Sequence, residues 1–103
     1  MPSNNPKNAE RIAQAIIGLK DITIREKGCD VWRVVNYDNG KSSIRHYGTE
    51  IMCIDRTNPN ALKLESFGGW SMTDSRYISA VCRNLGIRMQ ARIRNYNLEV
   101  VRY

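Results

Sequence analysis

The chain has 103 residues, of which 42% are hydrophobic and 25% charged, and its formal net charge is +6. This length and balance predict one folded domain over residues 1–103, with residues 1–5 frayed. Cys29, Cys53 and Cys82 are odd in number and widely spaced, which argues against a disulfide framework and against a zinc site. No apolar run approaches the ~20 residues that cross a bilayer, and the start lacks a signal peptide, so we expect a cytoplasmic protein without membrane contact.

The first predicted element is an amphipathic helix. Apolar residues recur at spacings of three and four from Ala9 to Leu19, which is the period of a helix with one buried face. Asn5 is suited to cap this helix and Pro6 to open it. A short strand over residues 22–25 is predicted to follow.

A hairpin is the next prediction. Two β-prone runs, 31–37 and 41–47, flank Asp38-Asn39-Gly40, and Asn-Gly is the favoured centre of a two-residue type I′ turn. That turn predicts a register with four cross-strand pairs: Asp38–Lys41, Val35–Ile44, Arg33–His46 and Trp32–Tyr47. Further strands are expected over 49–55 and 62–65, with a bend at Gly48 and a turn at 57–60.

The second helix has clear signals at both ends. Ser71 or Thr73 is suited to cap it, Asp74 lies in its first turn, and Gly86 is suited to end it. With a final hairpin after Gly86, the predicted order is α-β-β-β-β-α-β-β. This order predicts an α+β fold, an antiparallel sheet of about five to six strands with two helices packed on one face.

The final hairpin, strands over 87–94 and 98–103, carries most of the charge. The segment 87–94 alternates apolar with polar residues, as in a strand with one buried face. Residues 76–103 hold six basic residues and one acid, whereas residues 1–75 hold ten and nine. We therefore predict a basic face that binds a polyanion through these residues, with the tyrosine stacking on a base: Arg76, Arg83, Arg88, Arg92, Arg94, Arg102 and Tyr96.

Several partners fit such a face. RNA or DNA is the first, and an acidic protein or nucleoprotein surface is the second. The alternative to binding is a solvated sheet face whose charge keeps an edge strand from aggregating. The last strand is also expected to offer a free edge through which a homodimer could form.

Signals for catalysis are weak. His46 is the only histidine of the sequence, and a general base needs an orienting carboxylate or a nucleophile beside it. Asp38, Glu50 and Asp55 are candidates, but their spacing does not bring them together. Gly68-Gly69 before a helix could cradle a phosphate, yet the Gly-Lys-Ser/Thr of a phosphate loop is absent and a sharp turn is the favoured interpretation. We predict no enzyme and no cofactor, and keep an enzyme built around His46 as an alternative.

Three stretches carry a resemblance: Tyr37-Asp38-Asn39-Gly40, His46-Tyr47-Gly48-Thr49-Glu50-Ile51, and Gly69-Trp70-Ser71-Met72-Thr73-Asp74-Ser75-Arg76 with Ile78 two residues on. Together they resemble a group of small, mostly uncharacterised proteins of bacteriophages and other mobile elements, which share a Y-x-T-x-I strand and an aromatic-Ser-x-Thr-Thr helix start. Here Asp74 stands where the second threonine is usual, and Ser79 where an asparagine often stands.

The resemblance implies a phage-like origin, action in the cytoplasm of a host cell and a small sheet with a packed helix. It carries over no catalytic residue. It implies, as an alternative function, an inhibitor of a host defence complex, of the anti-CRISPR type, that acts by protein–protein contact. A structural part of a virion is a further alternative, with Trp32, Trp70 and the tyrosines as interface anchors.

Overall fold

The computed structural model describes residues 6–69, 71–95 and 97–102. Within these ranges it contains two helices and seven strands, in the order α1 (Pro6–Ile17), β1 (Ile22–Glu26), β2 (Cys29–Asn36), β3 (Lys41–His46), β4 (Thr49–Asp55), β5 (Lys63–Phe67), α2 (Met72–Asn84), β6 (Met89–Arg94) and β7 (Asn97–Arg102). Strands β1 to β5 form one antiparallel sheet in sequential order, and β6 and β7 form a separate hairpin. The predicted α+β class is confirmed.

A single apolar core joins the sheet to both helices. Ile12 and Ile16 of α1, Ile78 and Val81 of α2 and Val34 of β2 are each at most 1% exposed. The β6–β7 hairpin adds one half-buried apolar face to this core, formed by Met89, Ala91, Leu98 and Val100. Among the described residues, neither helix combines the length and the apolar character needed to cross a bilayer.

The turn between β2 and β3 differs from the predicted one. The N–H of Tyr37 donates to the carbonyl of Lys41 (2.8 Å), so three residues and not two form the loop. Gly40 has a φ of +86°, and the side-chain oxygen of Asn39 accepts from the Lys41 N–H (3.1 Å). This is the three-residue hairpin loop in which the last residue is left-handed.

The register therefore differs by one residue from the predicted register, and the predicted pairs are wrong. Because a one-residue slip moves every side chain to the other face of the sheet, the buried residues decide between the two registers. The observed register buries Val34 and Ile44, both 0% exposed, which outweighs the turn preference of Asn-Gly. The observed pairs are Trp32–His46, Arg33–Arg45, Val34–Ile44 and Val35–Ser43.

Type I′ turns join two other pairs of strands, whereas the β2–β3 loop is not of this type. Lys27-Gly28 joins β1 to β2, and Tyr47-Gly48 joins β3 to β4. All four residues have φ between 51° and 84°, as both central positions of this turn require. The bend predicted at Gly48 is therefore a tight hairpin turn.

Helix α2 ends as predicted. Gly86 has a φ of +76°, and the N–H of Ile87 donates to the carbonyl of Cys82 (2.8 Å), which is the Schellman arrangement. Helix α1 ends with the same pattern, but Leu19 occupies the left-handed position with a φ of 55°. The Leu19 N–H donates to Ile16 (3.3 Å) and the Lys20 N–H to Ala15 (2.9 Å). The predicted cap of α1, Asn5, lies outside the described residues.

Replacing Leu19 by glycine is expected to raise the free energy of unfolding by about 0.5–1 kcal/mol, because glycine avoids the left-handed strain but has a more flexible unfolded state. Leu19 is 60% exposed, so little apolar burial is given up. Urea unfolding measures the change. The control is Ile17→Gly at the exposed last residue of α1, which should lower stability. A destabilised Leu19→Gly variant would contradict the prediction.

Candidate functional site

A groove of about 570 Å³ lies between α2 and β6. The Ser79 hydroxyl holds these two elements together. It accepts from the N–H of Ala91 (2.8 Å) and lies within hydrogen-bond distance of its carbonyl oxygen (3.2 Å). Ser79 thereby satisfies the N–H of Ala91, while its own O–H lies within reach of the carbonyls of Ser75 (3.0 Å) and Ala91. The groove is thus a consequence of how α2 docks along the hairpin.

Three of the predicted arginines line this groove. Arg76 and Arg83 are seven residues apart on α2, which places them on the same helix face. Arg92 contributes from β6. The other described residues that line the groove carry no acid: Ala9, Met72, Ser75, Tyr77, Ser79, Ala80, Ala91 and Ile93. The site therefore combines basic side chains with an uncharged floor.

Two of the arginines predicted on the basic face lie side by side on the last hairpin. Arg92 and Arg94 alternate with half-buried residues along β6 and project on the same exposed face. Arg88 is exposed but precedes the strand. Arg102 pairs with Met89 and so shares the apolar face of the hairpin, because direct cross-strand partners lie on the same side. Strand β6 begins two residues later than predicted, at Met89, and Arg102 lies on the neighbouring strand β7, as predicted.

The local charge balance stays positive. Arg92 forms an ion pair with Glu99 across the hairpin. Within the described residues, the remaining predicted arginines form no ion pair: Arg76, Arg83, Arg88, Arg94 and Arg102. Asp74, the acid of α2, lies at the start of the helix and contacts His46. Tyr96, predicted as the stacking ring, lies outside the described residues.

A second cluster lies under the start of α2. His46 Nδ1 lies 2.7 Å from Asp74 Oδ1, and both side chains are nearly buried. The Trp32 ring stacks on His46 (centroids 4.1 Å apart) and also on Tyr77 (4.0 Å). Sequence reasoning missed the contact with Asp74, because the two residues are 28 positions apart. The signal available was the position of Asp74 in a predicted helix cap.

The cap of α2 fixes Asp74. The Ser71 hydroxyl accepts from the Asp74 N–H (3.0 Å), and the Asp74 carboxylate accepts from the Ser71 N–H (3.4 Å), a capping box. Gly69 has a φ of +102°, and a Cβ added there would lie 2.6 Å from Asp74 Oδ2. Gly69 therefore makes room for the carboxylate, and its left-handed backbone agrees with the turn interpretation.

The geometry of His46 suits a structural contact. A general base must present its free nitrogen to the proton that it removes. Nε2 of His46 exposes less than 1 Å² and has no hydrogen-bond partner among the described residues. The ring instead connects β3 to α2 beside a cleft of about 260 Å³, which Tyr47 and Thr49 help to line.

The cysteines lie apart from both clusters. Cys29 is exposed, Cys53 half-buried and Cys82 buried. Burial raises the pKa of Cys82 to about 11, and burial together with the Glu65 carboxylate raises the pKa of Cys53 to about 11. In the described ranges, no group of three or more His, Cys, Asp or Glu side chains is placed to hold a metal ion.

No protein-family model matches the chain, and no similar protein is found among the curated proteins or the solved structures. The resemblance to small bacteriophage proteins thus stays a prediction.

Proposed function

We propose that this protein binds nucleic acid, without catalysing a reaction, through a basic surface on α2 and the β6–β7 hairpin. The observation that supports this most strongly is the convergence of Arg76, Arg83 and Arg92 on one groove whose described lining holds no acid. Arg94 extends the same charge along β6.

The chemistry of arginine favours a phosphate ligand. A guanidinium is always charged and offers a planar set of donors that matches phosphate oxygens. Arg76 and Arg83 are exposed and have no ion pair among the described residues, so their donors are available to a ligand. Binding of a phosphate backbone by such groups releases counterions and therefore weakens as salt rises.

The double variant Arg76→Gln/Arg83→Gln is expected to bind oligonucleotides about tenfold or more weakly than the natural chain. Its plot of log affinity against log salt should have a slope shallower by ~0.7–0.9 for each phosphate that the variant no longer neutralises. Fluorescence anisotropy with labelled RNA, single-stranded DNA and duplex DNA across a salt series measures both quantities.

The charge-matched control is Arg33→Gln/Lys63→Gln. Both residues are exposed and lie on the sheet face away from the helices, so this variant should keep its affinity within about twofold. Absence of binding to all three probes at low salt, or an equal loss in both double variants, would disprove the proposal.

A second candidate function is inhibition of a host defence complex by contact with an acidic protein or nucleoprotein surface, which the phage-like resemblance suggests. Met72, 57% exposed beside the arginines, is the kind of apolar group that such an interface buries. A complex with a defined defence nuclease that persists after nuclease digestion, and that the Arg76→Gln/Arg83→Gln variant fails to form, would favour this candidate.

For either candidate function, we also propose a homodimer through the free edge of β7 and a cytoplasmic location.

A further inference from the structure

The floor of the groove between α2 and β6 is apolar beneath its arginine rim. Ala80 of α2 and Ala91 and Ile93 of β6 are half-buried there, and Met72 at the start of α2 is 57% exposed. A surface that contacts only a phosphate backbone needs charge and hydrogen-bond donors, not an apolar recess. The recess therefore indicates that the ligand presents an apolar face as well as negative charge.

We propose that this groove holds one unpaired nucleotide of a single-stranded nucleic acid, with its base against the apolar floor and its phosphates on the arginines. The inference rests on the proposed function and specifies its ligand. In a duplex the faces of the bases are stacked on one another, whereas a base of a single strand, a loop or an end can enter a recess without the cost of breaking a base pair.

The dimensions of the groove agree with this ligand. Its volume of about 570 Å³ falls within the ~300–1,000 Å³ of sites that enclose small organic molecules. Arg76 and Arg83 are separated by about two helical turns, or ~10 Å along the axis of α2. They can therefore contact phosphates on both sides of a seated nucleotide, while Arg92 approaches from β6.

Proteins that bind single strands combine the same two features: a basic groove contacts the backbone, and flat or apolar side chains contact the bases. An acidic peptide with an apolar side chain is the competing ligand. Arginine binds carboxylate and phosphate alike in a bidentate manner, so the guanidinium groups alone do not separate the two ligands. The separation of Arg76 and Arg83 along α2, which matches phosphates on both sides of one base, favours the nucleotide.

The test is to fill the recess without changing its charge. Ala80→Phe should weaken binding of a labelled 12-mer oligothymidylate by about tenfold, the size of effect expected when one base is deprived of its contact surface. Binding of a 12-base-pair duplex and of heparin, which contact the arginines alone, should change less than about twofold, and the salt slope should stay the same. The natural chain should bind the single strand more tightly than the duplex.

Met72→Ser provides a second variant that does not depend on repacking, because Met72 is largely exposed. It should weaken oligothymidylate binding by about threefold and leave duplex binding unchanged. Circular dichroism verifies that each variant is folded; if Ala80→Phe is not, Met72→Ser decides.

The outcomes separate this inference from the proposed function. Equal affinity for single strand and duplex, or equal losses for both in the folded variants, would overturn the single-nucleotide site while leaving nucleic-acid binding intact. Competition by polyglutamate as strong as that by oligothymidylate would also overturn it, in favour of an acidic protein ligand. If heparin, duplex and single strand all fail to bind, the proposed function itself is wrong.

Discussion

Replacing Trp32 by alanine is expected to lower the free energy of unfolding by about 3–5 kcal/mol. Trp32 is 1% exposed, and its ring lies between His46 and Tyr77 at centroid distances of 4.1 and 4.0 Å. Its removal would leave a cavity and would also break a three-ring stack that joins β3 to α2. Because a chain of this size has a total stability of only ~5–15 kcal/mol, the variant should be partly unfolded at 37 °C.

Two control variants test whether the stack is the cause. Trp32→Phe keeps a ring between His46 and Tyr77 and should lose clearly less stability than the alanine variant. Phe67→Ala removes an aromatic ring that is 43% exposed at the end of β5, and should cost about 1 kcal/mol or less. Chemical unfolding followed by circular dichroism gives all three values. Equal losses for Trp32→Ala and Phe67→Ala would contradict the prediction.

Helix ends and strand faces that depend on neighbouring residues in the chain could be predicted from the sequence. The ends of α2 depend on residues within one turn of each end, Ser71 and Asp74 at the start and Gly86 at the finish, and the structure has the capping box and the Schellman motif there. The alternation of apolar and polar residues along β6 is likewise a local feature, and it predicted that Arg92 and Arg94 share an exposed face.

The register of the β2–β3 hairpin could not be predicted from its turn residues. Asn39-Gly40 favours a two-residue turn, but the core needs Val34 and Ile44 on the same buried face. The type I′ turns fall instead at Lys27-Gly28 and Tyr47-Gly48, which have weaker local signals. The free energy of burying a strand face exceeds the preference of one turn dipeptide, and burial depends on residues far away in the chain.

The positive charge of the candidate site could be predicted from the sequence, but the groove could not. The arginines could be counted in the sequence, but the groove exists because the Ser79 hydroxyl docks α2 against Ala91 of β6. That contact depends on how two elements pack, and it places Arg76 and Arg83 at the centre of the site. The pairing of Arg102 with Met89 places Arg102 on the opposite face of the hairpin from Arg92 and Arg94. The pairing of His46 with Asp74 is non-local in the same way.

Asp74→Ala is expected to lower the free energy of unfolding by about 3 kcal/mol. The substitution removes the negative charge and the capping hydrogen bond at the start of α2, and it leaves the buried His46 imidazole without its hydrogen-bond partner. Asp74 is 6% exposed, and its Oδ1 lies 2.7 Å from His46 Nδ1. The carboxylate acts on α2 and on β3 at once. Its removal should therefore also loosen the contact between helix and sheet, which amide hydrogen exchange at the first turns of α2 would detect as reduced protection.

A double-mutant cycle separates the two contributions. His46→Phe keeps an aromatic ring on Trp32 but removes the hydrogen bond, so in this background Asp74→Ala should lose only the helix-start contribution, about 1 kcal/mol. Asp74→Asn keeps one oxygen acceptor, which can serve either His46 or the Ser71 N–H, and should therefore be less destabilising than Asp74→Ala. Additive effects of Asp74→Ala and His46→Phe would show that the two side chains do not interact energetically. The stack on Trp32 alone would then hold His46 in place, and the protein would tolerate changes at Asp74 that keep the helix capped.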